Sequence, residues 1–541
     1  MAHTRHGDDL YPEGEDLPDV SGVSFDHEGK DGRKVGFLWG VATSSYQVEG
    51  EILSNDWSVF SRSGFVRDKV DSIAKLAKIS INLEDPGKAV DHWNLKVFGD
   101  DVRRTKSLGL NAYRLSIEWS RIQPAGPSQP GSDGSGFDMD AISHYSRMLD
   151  LLDEAGLEPI VTLSHFTLPK WVLTPPTTLL DAEDADFKKS LGGWCSKSTV
   201  DAFVNYVKCI SGEFKNRIKY WLTINEPMSS VAFGYLAGIW SPGFMGAEDR
   251  AKTVIFNLID AHARAYDAIK QVAGSGSMVG MAHGMVFPKV KTENDILGVN
   301  RKATAQYDYC FNKVFLEAIT DGIFNPTLML ENKDCRIVEH WKGRLDFVGL
   351  NYYRSVYIYQ NELISLVVPW AGGVFDEDLG SAGARHNLLN DLGWEVYPAG
   401  LYRLLKYLDD RFGLPILITE NGFAEKTDTS RGSEAPIGMR APYVVSHACE
   451  VLHAIKDGVD VLGYLYWSIV DNWEWDYDYM PKSRFGLFNV DRESKGKGPL
   501  PRVKTLGAEA LEYIARHGKI GNAAEKFGTI TPSGTALLPP K

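Results

Sequence analysis

Two carboxylates in this 541-residue chain stand out by what precedes them. Glu226 directly follows the apolar run YWLTIN, Glu420 directly follows PILIT, and each has an Asn beside it, Asn225 and Asn421. The ends of other apolar runs supply Gln47 and Glu49, Glu118 and Trp119, His165, Asn351 and Tyr353, then Trp467, Asp471, Asn472, Glu474 and Trp475. The set is rich in carboxylates, amides and indoles, and it holds neither a Ser-His-Asp or Cys-His pattern nor an HExxH helix. Amides and carboxylates form paired hydrogen bonds with vicinal hydroxyls, and an indole face stacks on the C–H face of a sugar ring. Two carboxyl groups facing one another across a glycosidic bond complete such a site: one protonates the leaving oxygen and the other attacks the anomeric carbon. A single Glu at a strand end ordinarily marks only the surface. Two of them, each beside an Asn and each closing a strongly apolar run, make Glu226 and Glu420 the candidate pair.

The elements that must carry these residues alternate in type. Eight apolar and aromatic runs read as buried strands: 35–44, 111–117, 158–164, 218–225, 278–284, 345–351, 415–420 and 461–468. Helical patterns separate them at 138–155, 198–215, 250–271, 398–411 and 440–456; in the third, Ile255, Leu258, His262, Ala265 and Ile269 share one face. Eight βα pairs predict an α/β fold, a single (β/α)8 TIM barrel with long βα-loop insertions, whose reactive groups gather at the C-terminal ends of the strands. Strands four and seven then face each other across one cavity. An open doubly wound sheet would carry a Gly-rich phosphate turn, and neither GxGxxG nor GxxxxGK[ST] follows any strand. The expected organisation is a loosely ordered segment over 1–30, a catalytic domain over 31–525 and a tail over 526–541, with insertions at 62–90, 124–136, 172–192 and 358–390.

Composition narrows the setting. Lys plus Arg number 58 against 71 Asp plus Glu, a net charge of −13, so no general attraction to nucleic acid or to an anionic membrane is expected. The five cysteines are scattered and lack CxxC spacing, which speaks against a disulfide framework or a zinc site and for a reducing, cytoplasmic setting. The N-terminus has no apolar core of a signal sequence. The most apolar stretch, 363–375, contains Pro369 and falls short of a membrane span.

The segments FLWGVATSSYQVEG, NAYRLSIEWSRI, TLSHFTLPKW, WLTINEP, LDFVGLNYY, LGWEVYPAGL, ITENG and GYLYWSIVDNWEW…RFGL occur in that order from about residue 35 to about 520. Together they resemble glycoside hydrolase family 1, the β-glucosidases and β-galactosidases, and the long insertions are similar to those of its archaeal-type members. The resemblance implies a retaining enzyme with Glu226 as acid/base and Glu420 as nucleophile. It implies that Gln47, His165, Asn225, Glu474 and Trp467 hold the hydroxyls of the non-reducing sugar, with Trp475 a second indole near it. It places Asn351 and Tyr353 beside the nucleophile, the Tyr hydroxyl bonding Glu420, gives Arg114 the task of steadying Glu420 as an anion, and makes Trp394 the platform for the leaving group. The implied substrate is a β-glycoside or short oligosaccharide, a β-D-glucoside first, then β-galactosides and β-fucosides. No metal, no organic cofactor, no nucleic acid and no membrane is implied as partner, and the resemblance leaves room for a homo-oligomer. The alternative of another class is a sugar-binding protein of the same fold without turnover.

Those roles carry physical demands. Retention needs carboxyl groups roughly 5–5.5 Å apart. Glu420 must be anionic, so a neighbouring Arg should lower its pKa. Glu226 must start protonated, which the nearness of a second carboxylate favours. Phe166 stands where many relatives of that family have Trp, which removes an N–H donor, and the stretch after Glu474 is two residues longer than expected. Glu474, where phosphoglycosidases of the family have a small residue, would repel a phosphate. His262 reads as a core histidine, Glu118 as a buried polar residue, Asp100 and Asp101 as a helix start, and His3, His6, Asp8 and Asp9 as part of a disordered tail.

Overall fold

Eight strands close into one ring in the computed structural model, which describes residues 18–77, 81–127, 136–177, 190–290, 298–330, 334–360, 374–375, 388–425, 438–491, 500–531 and 534–538. The order is β1 (Leu38–Ala42), α1 (Leu95–Ser107), β2 (Ala112–Ser116), α2 (Met139–Ala155), β3 (Glu158–Ser164), α3 (Lys197–Phe214), β4 (Tyr220–Asn225), α4 (Glu248–Ala273), β5 (Met278–Val290), α5 (Val314–Asp321), β6 (Phe347–Tyr359), α6 (Pro398–Phe412), β7 (Ile416–Asn421), α7 (Arg440–Lys456), β8 (Val461–Trp467) and α8 (Leu506–His517). Each strand pairs in parallel with its neighbours, and β8 returns to β1 through Gly463↔Leu38 to Trp467↔Ala42. The predicted (β/α)8 barrel is therefore the fold.

Alternation along the strands divides two cores. Ala42, Ala112, Ile160, Leu222, Ala282, Phe347, Leu417 and Leu465 fill the inside of the barrel, while Val41, Tyr113, Val161, Ile224, Val348 and Ile418 pack outward on the helices. Four of the eight helices start at side-chain caps: Asn94 before α1, Asp138 before α2, Ser196 before α3 and Thr505 before α8 each accept a backbone N–H of the first turn. His262 lies in the core between Thr223 Oγ1 and the Arg344 carbonyl, at 2.6 Å from each.

Several expectations are corrected. Strands β5 and β6 do not end at 284 and 351. They continue to Val290 and Tyr359, 13 residues in all for each strand, and the extensions pair from Ser355↔Phe287 to Ile358↔Val290 as a ribbon above the barrel. Asp100 and Asp101 do not start a helix: Asn94 does, and they lie mid-helix. Asp101 is wholly buried and meets His92 Nε2 at 2.8 Å, Arg104 at 2.7 Å and Arg502 at 3.1 Å. Burial alone would raise its carboxyl, but His92, Arg502 and Arg104 bring it down to about 2. The 62–90 insertion contains a helix over Gly64–Ala77. The chain ends are docked where they are described: Phe25 is buried against Phe37 and Trp39, and Ile530 is buried with its N–H on Ser446 Oγ. Apolar side chains in those otherwise polar segments supply the anchorage. Much of 124–136, 172–192 and 358–390, and the whole His3–Asp9 cluster, lie outside the described residues. Among the described residues no helix is long and apolar enough to cross a membrane.

Candidate active site

Strict alternation would turn Glu420 away from the barrel interior, because Leu417 faces in. A bulge corrects this. Leu350 pairs with Ile418, but the next residue, Asn351, pairs with Glu420. One extra residue on β7 therefore brings both Thr419 and Glu420 to the cavity side. Asn421, offered by the sequence beside its Glu, is turned outward instead. Its amide donates to the Tyr352 carbonyl at 2.6 Å and to Tyr443 Oη at 2.8 Å, and it accepts from Tyr464 at 2.6 Å. Strand β4 shows the same device: Leu222 pairs with Gly280 and Asn225 with Ala282, three steps against two. That shift aims Asn225 inward. Glu226 follows with φ 41° and ψ 62°, a left-handed conformation that costs a non-glycine residue about 1 kcal/mol or more. Its N–H is held by the Ala282 carbonyl at 2.7 Å. Gly284 leaves the necessary space, since a Cβ there would lie 2.8 Å from Glu226 Cδ.

Arg114, on β2 and wholly buried, ties these strands together. Its guanidinium donates to Glu420 Oε1 at 2.7 Å, Asn225 Oδ1 at 2.7 Å, Thr162 Oγ1 at 2.9 Å and the Thr419 carbonyl at 3.1 Å. Tyr353 Oη donates to the other oxygen of Glu420 at 2.7 Å. Glu226 receives Asn351 Nδ2 at 2.8 Å and Ser229 Oγ at 2.8 Å. Asn351 also reaches Asn225 Oδ1 at 3.2 Å and accepts from Thr419 Oγ1 at 2.6 Å. One hydrogen-bonded network therefore carries both carboxyl groups. Glu420 is 4% exposed; Glu226 is half-buried.

One side of the cavity is built for hydroxyls. Trp467 Nε1 donates to Glu474 Oε1 at 3.1 Å. Gln47 Nε2 is committed to the Trp473 carbonyl at 2.6 Å and to Asn472 at 3.1 Å, while Gln47 Oε1 is buried and meets no hydrogen-bond partner among the described residues. His165 Nε2 lies 3.3 Å from Asn225 Nδ2, and its Nδ1 is likewise buried with no hydrogen-bond partner among the described residues. The His165 ring lies nearly parallel to Trp467 and Trp475 at 5.9 and 6.2 Å. Phe166, in a left-handed conformation, meets Trp475 edge-on at 5.1 Å and keeps the apolar wall continuous. The turn after Glu474 closes through Glu474 N–H to the Asp478 carbonyl, and the 62–90 insertion backs it: Asn82 bonds Asp476 and Asp478, and Glu84 accepts from Trp473. On the other side, Trp394 is half-buried between Tyr353 at 5.8 Å and Phe485 at 6.0 Å.

Burial governs the charges. It lifts Glu420 up to about 7 against the pull of Arg114, with Glu226 adding to the rise; the expected depression by Arg114 is present but outweighed. Burial likewise pushes Glu474 well above the ordinary carboxylate range, opposed by the Trp467 indole and reinforced by Glu420. A protonated Glu474 both donates to and accepts from a hydroxyl, and it weakens the argument that its charge alone repels phosphate. His165 is pushed far below its usual value by burial and stays neutral. Glu118 is buried and accepts from Ser45, Ser120, Asn55 and Thr167, a structural knot outside the cavity network. Among the described residues no group of three or more His, Cys, Asp or Glu side chains is placed to hold a metal ion.

The sequence-level set missed Thr162, Thr419, Ser229, Gly284 and Phe485. Thr419 and Ser229 sit one and three residues from the two carboxylates, so proximity was a usable signal for both. Nothing in sequence marks Thr162 or Gly284, whose tasks exist only across strands.

A family model described as glycosyl hydrolase family 1 matches residues 33–506. Beta-glucosidase A of Thermotoga maritima is 31% identical over 84% of this chain and 92% of its own. A beta-galactosidase of Pyrococcus woesei is 30% identical over 89% of this chain and 97% of its own. Among solved structures, a beta-glycosidase from Pyrococcus horikoshii superposes with a TM-score of 0.69 at 30% identity, covering 91% of this chain and 97% of its own.

Proposed function

The chain belongs to glycosyl hydrolase family 1, and we propose that it is a retaining β-glycosidase that removes terminal non-reducing β-D-glucosyl residues, with β-galactosides and β-fucosides as further substrates. The observation that carries this is the shared network: Arg114 and Tyr353 hold Glu420 from two sides, while Asn351 and Ser229 hold Glu226. In the first step Glu420 attacks the anomeric carbon and forms an ester. The glycosidic bond breaks, and its oxygen leaves with the proton of Glu226. The ester removes the charge at position 420, so Glu226 can take a proton from water in the second step. That water attacks the same carbon, Glu420 departs as carboxylate, and two inversions give net retention. Gln47, His165, Asn225, Glu474 and Trp467 orient the sugar, Trp475 backs it, and Trp394 carries the leaving group. Five cysteines that form no disulfide among the described residues support a reducing compartment such as the cytoplasm.

The test is release of p-nitrophenol from p-nitrophenyl β-D-glucopyranoside by wild type beside Glu420→Gln. Fast release that collapses by a factor on the order of a thousand or more in the variant is expected. Equal release by the two would overturn the nucleophile. No release by folded wild type that still binds glucose would overturn the glycosidase itself.

A further inference from the structure

The segment carrying Trp394 is fastened far more firmly than a surface loop requires. Asn390 Oδ1 accepts the N–H groups of Leu392 and Trp394 at 2.9 and 3.0 Å. The next residue, Glu395, is 3% exposed and lies under the ribbon formed by the extensions of β5 and β6. Ser355 Oγ on that ribbon donates to Glu395, and Lys289 Nζ on the paired strand lies 3.1 Å from the same carboxyl. The Lys289 ammonium also sits over the Tyr397 ring at 3.6 Å. Tyr352 Oη then holds the Tyr397 carbonyl at 2.6 Å. The ribbon and residues 394–397 thus share one largely buried charge pair. Such a pair adds little net stability, because desolvation offsets its attraction, but it fixes orientation.

We propose that Lys289 and Glu395 are positioning residues for the leaving-group side of the cavity. They set the plane of Trp394, and so the affinity for a second sugar or an aromatic ring departing from the glycoside. The inference rests on Trp394 being the leaving-group platform, as proposed above. It explains why β5 and β6 continue past the barrel: the ribbon is the support on which the platform is mounted. Trp394 in turn touches Tyr353, whose hydroxyl holds Glu420, so its orientation is referenced to the reacting carboxylate.

The test compares Lys289→Met, Glu395→Gln, the double variant and Trp394→Ala, all in the full chain. Four quantities are read: kcat/KM on cellobiose, kcat and KM on an activated aryl β-glucoside, and the inhibition constant of an iminosugar that mimics glucose alone. Each Lys289 or Glu395 variant is expected to lower cellobiose kcat/KM roughly ten- to hundredfold, the range a misplaced substrate gives. The iminosugar constant should hold, and the aryl glucoside should lose KM rather than kcat. The double variant should lose no more than the worse single, and Lys289→Arg should restore most of the loss. The double variant removes both charges and so avoids leaving one buried and unpaired if a single variant fails to fold. Cellobiose activity that survives in the pair variants while Trp394→Ala loses it overturns the inference and spares the platform. Cellobiose activity that survives in Trp394→Ala overturns the platform and the inference with it. A fall in iminosugar affinity equal to the fall on cellobiose shows a general disruption and also overturns it.

Discussion

Glu420 is held between opposing influences. Burial raises its carboxyl, Arg114 and Tyr353 pull it down, Glu226 pushes it up again, and the outcome is about 7. In the proposed reaction Glu420 must be anionic, so the acid side of the pH profile should report this group. Where Glu226 has lost its proton its like charge raises Glu420, and Gln at 226 never carries that charge. With an activated aryl β-glucoside, whose departure needs no proton, Glu226→Gln should therefore move the acid limb of kcat/KM to lower pH than in wild type. A pH titration of both enzymes checks this, and an acid limb at the same or higher pH would contradict it. The two carboxylates were legible in sequence because each closes an apolar strand beside an Asn. Their charge state was not, because burial depends on everything packed around them. The two Asn residues also diverge: Asn225 enters the network, while Asn421 faces a tyrosine cluster behind it.

At the scale of elements, all eight strands were readable as apolar runs, and their order alone implied a barrel. The bulges in β4 and β7 were not readable, since a one-residue shift is defined only by the partner strand. Nor was the role of the 62–90 insertion, whose composition shows a helix but not what it backs. Asn82 is one of its points of attachment: its N–H donates to the Asp476 carbonyl at 2.8 Å and its side-chain amide to Asp478 at 3.2 Å. These bonds brace the turn that begins at Glu474. Asn82→Ala removes the side-chain bond, and a lost hydrogen bond of this kind amounts to about 0.5–1.5 kcal/mol. The expected result is a roughly three- to tenfold weaker binding of a glucose-mimicking iminosugar. Discrimination between cellobiose and an aryl glucoside should stay as in wild type, because the leaving-group side is untouched. Unchanged iminosugar affinity would mean that the turn holds its shape without the Asn82 side chain.

Over the whole molecule the buried carboxyls act on stability in two opposite windows. Glu49, Asp56 and Glu420 are each raised to about 7, chiefly by burial, and Glu474 is raised further. For a raised acid the native state keeps its proton while the unfolded chain has lost it. Its stabilising effect is complete below the ordinary values of 3.8 for Asp and 4.5 for Glu, and it is lost as pH climbs toward 7. Asp101 works the other way. Its carboxyl sits at about 2, so it stabilises the fold above 3.8 and ceases to do so as pH falls toward 2. Together they place the greatest stability within the ordinary carboxyl range, where Asp101 has reached its full effect and the raised acids have not yet lost theirs. The midpoint of thermal unfolding, taken at a fixed scan rate, should fall by several degrees between pH 5 and pH 8. Asp56→Asn keeps an acceptor for the Leu168 N–H, which Asp56 Oδ1 holds at 2.7 Å, and removes one ionisation. It should narrow the difference between the two pH values and raise the midpoint at pH 8. A wild-type midpoint that stays level from pH 5 to pH 8 would show that these carboxyls ionise as freely in the fold as out of it, and a rise would contradict their upward shift outright. The barrel would then admit more water to its strand ends than their burial implies.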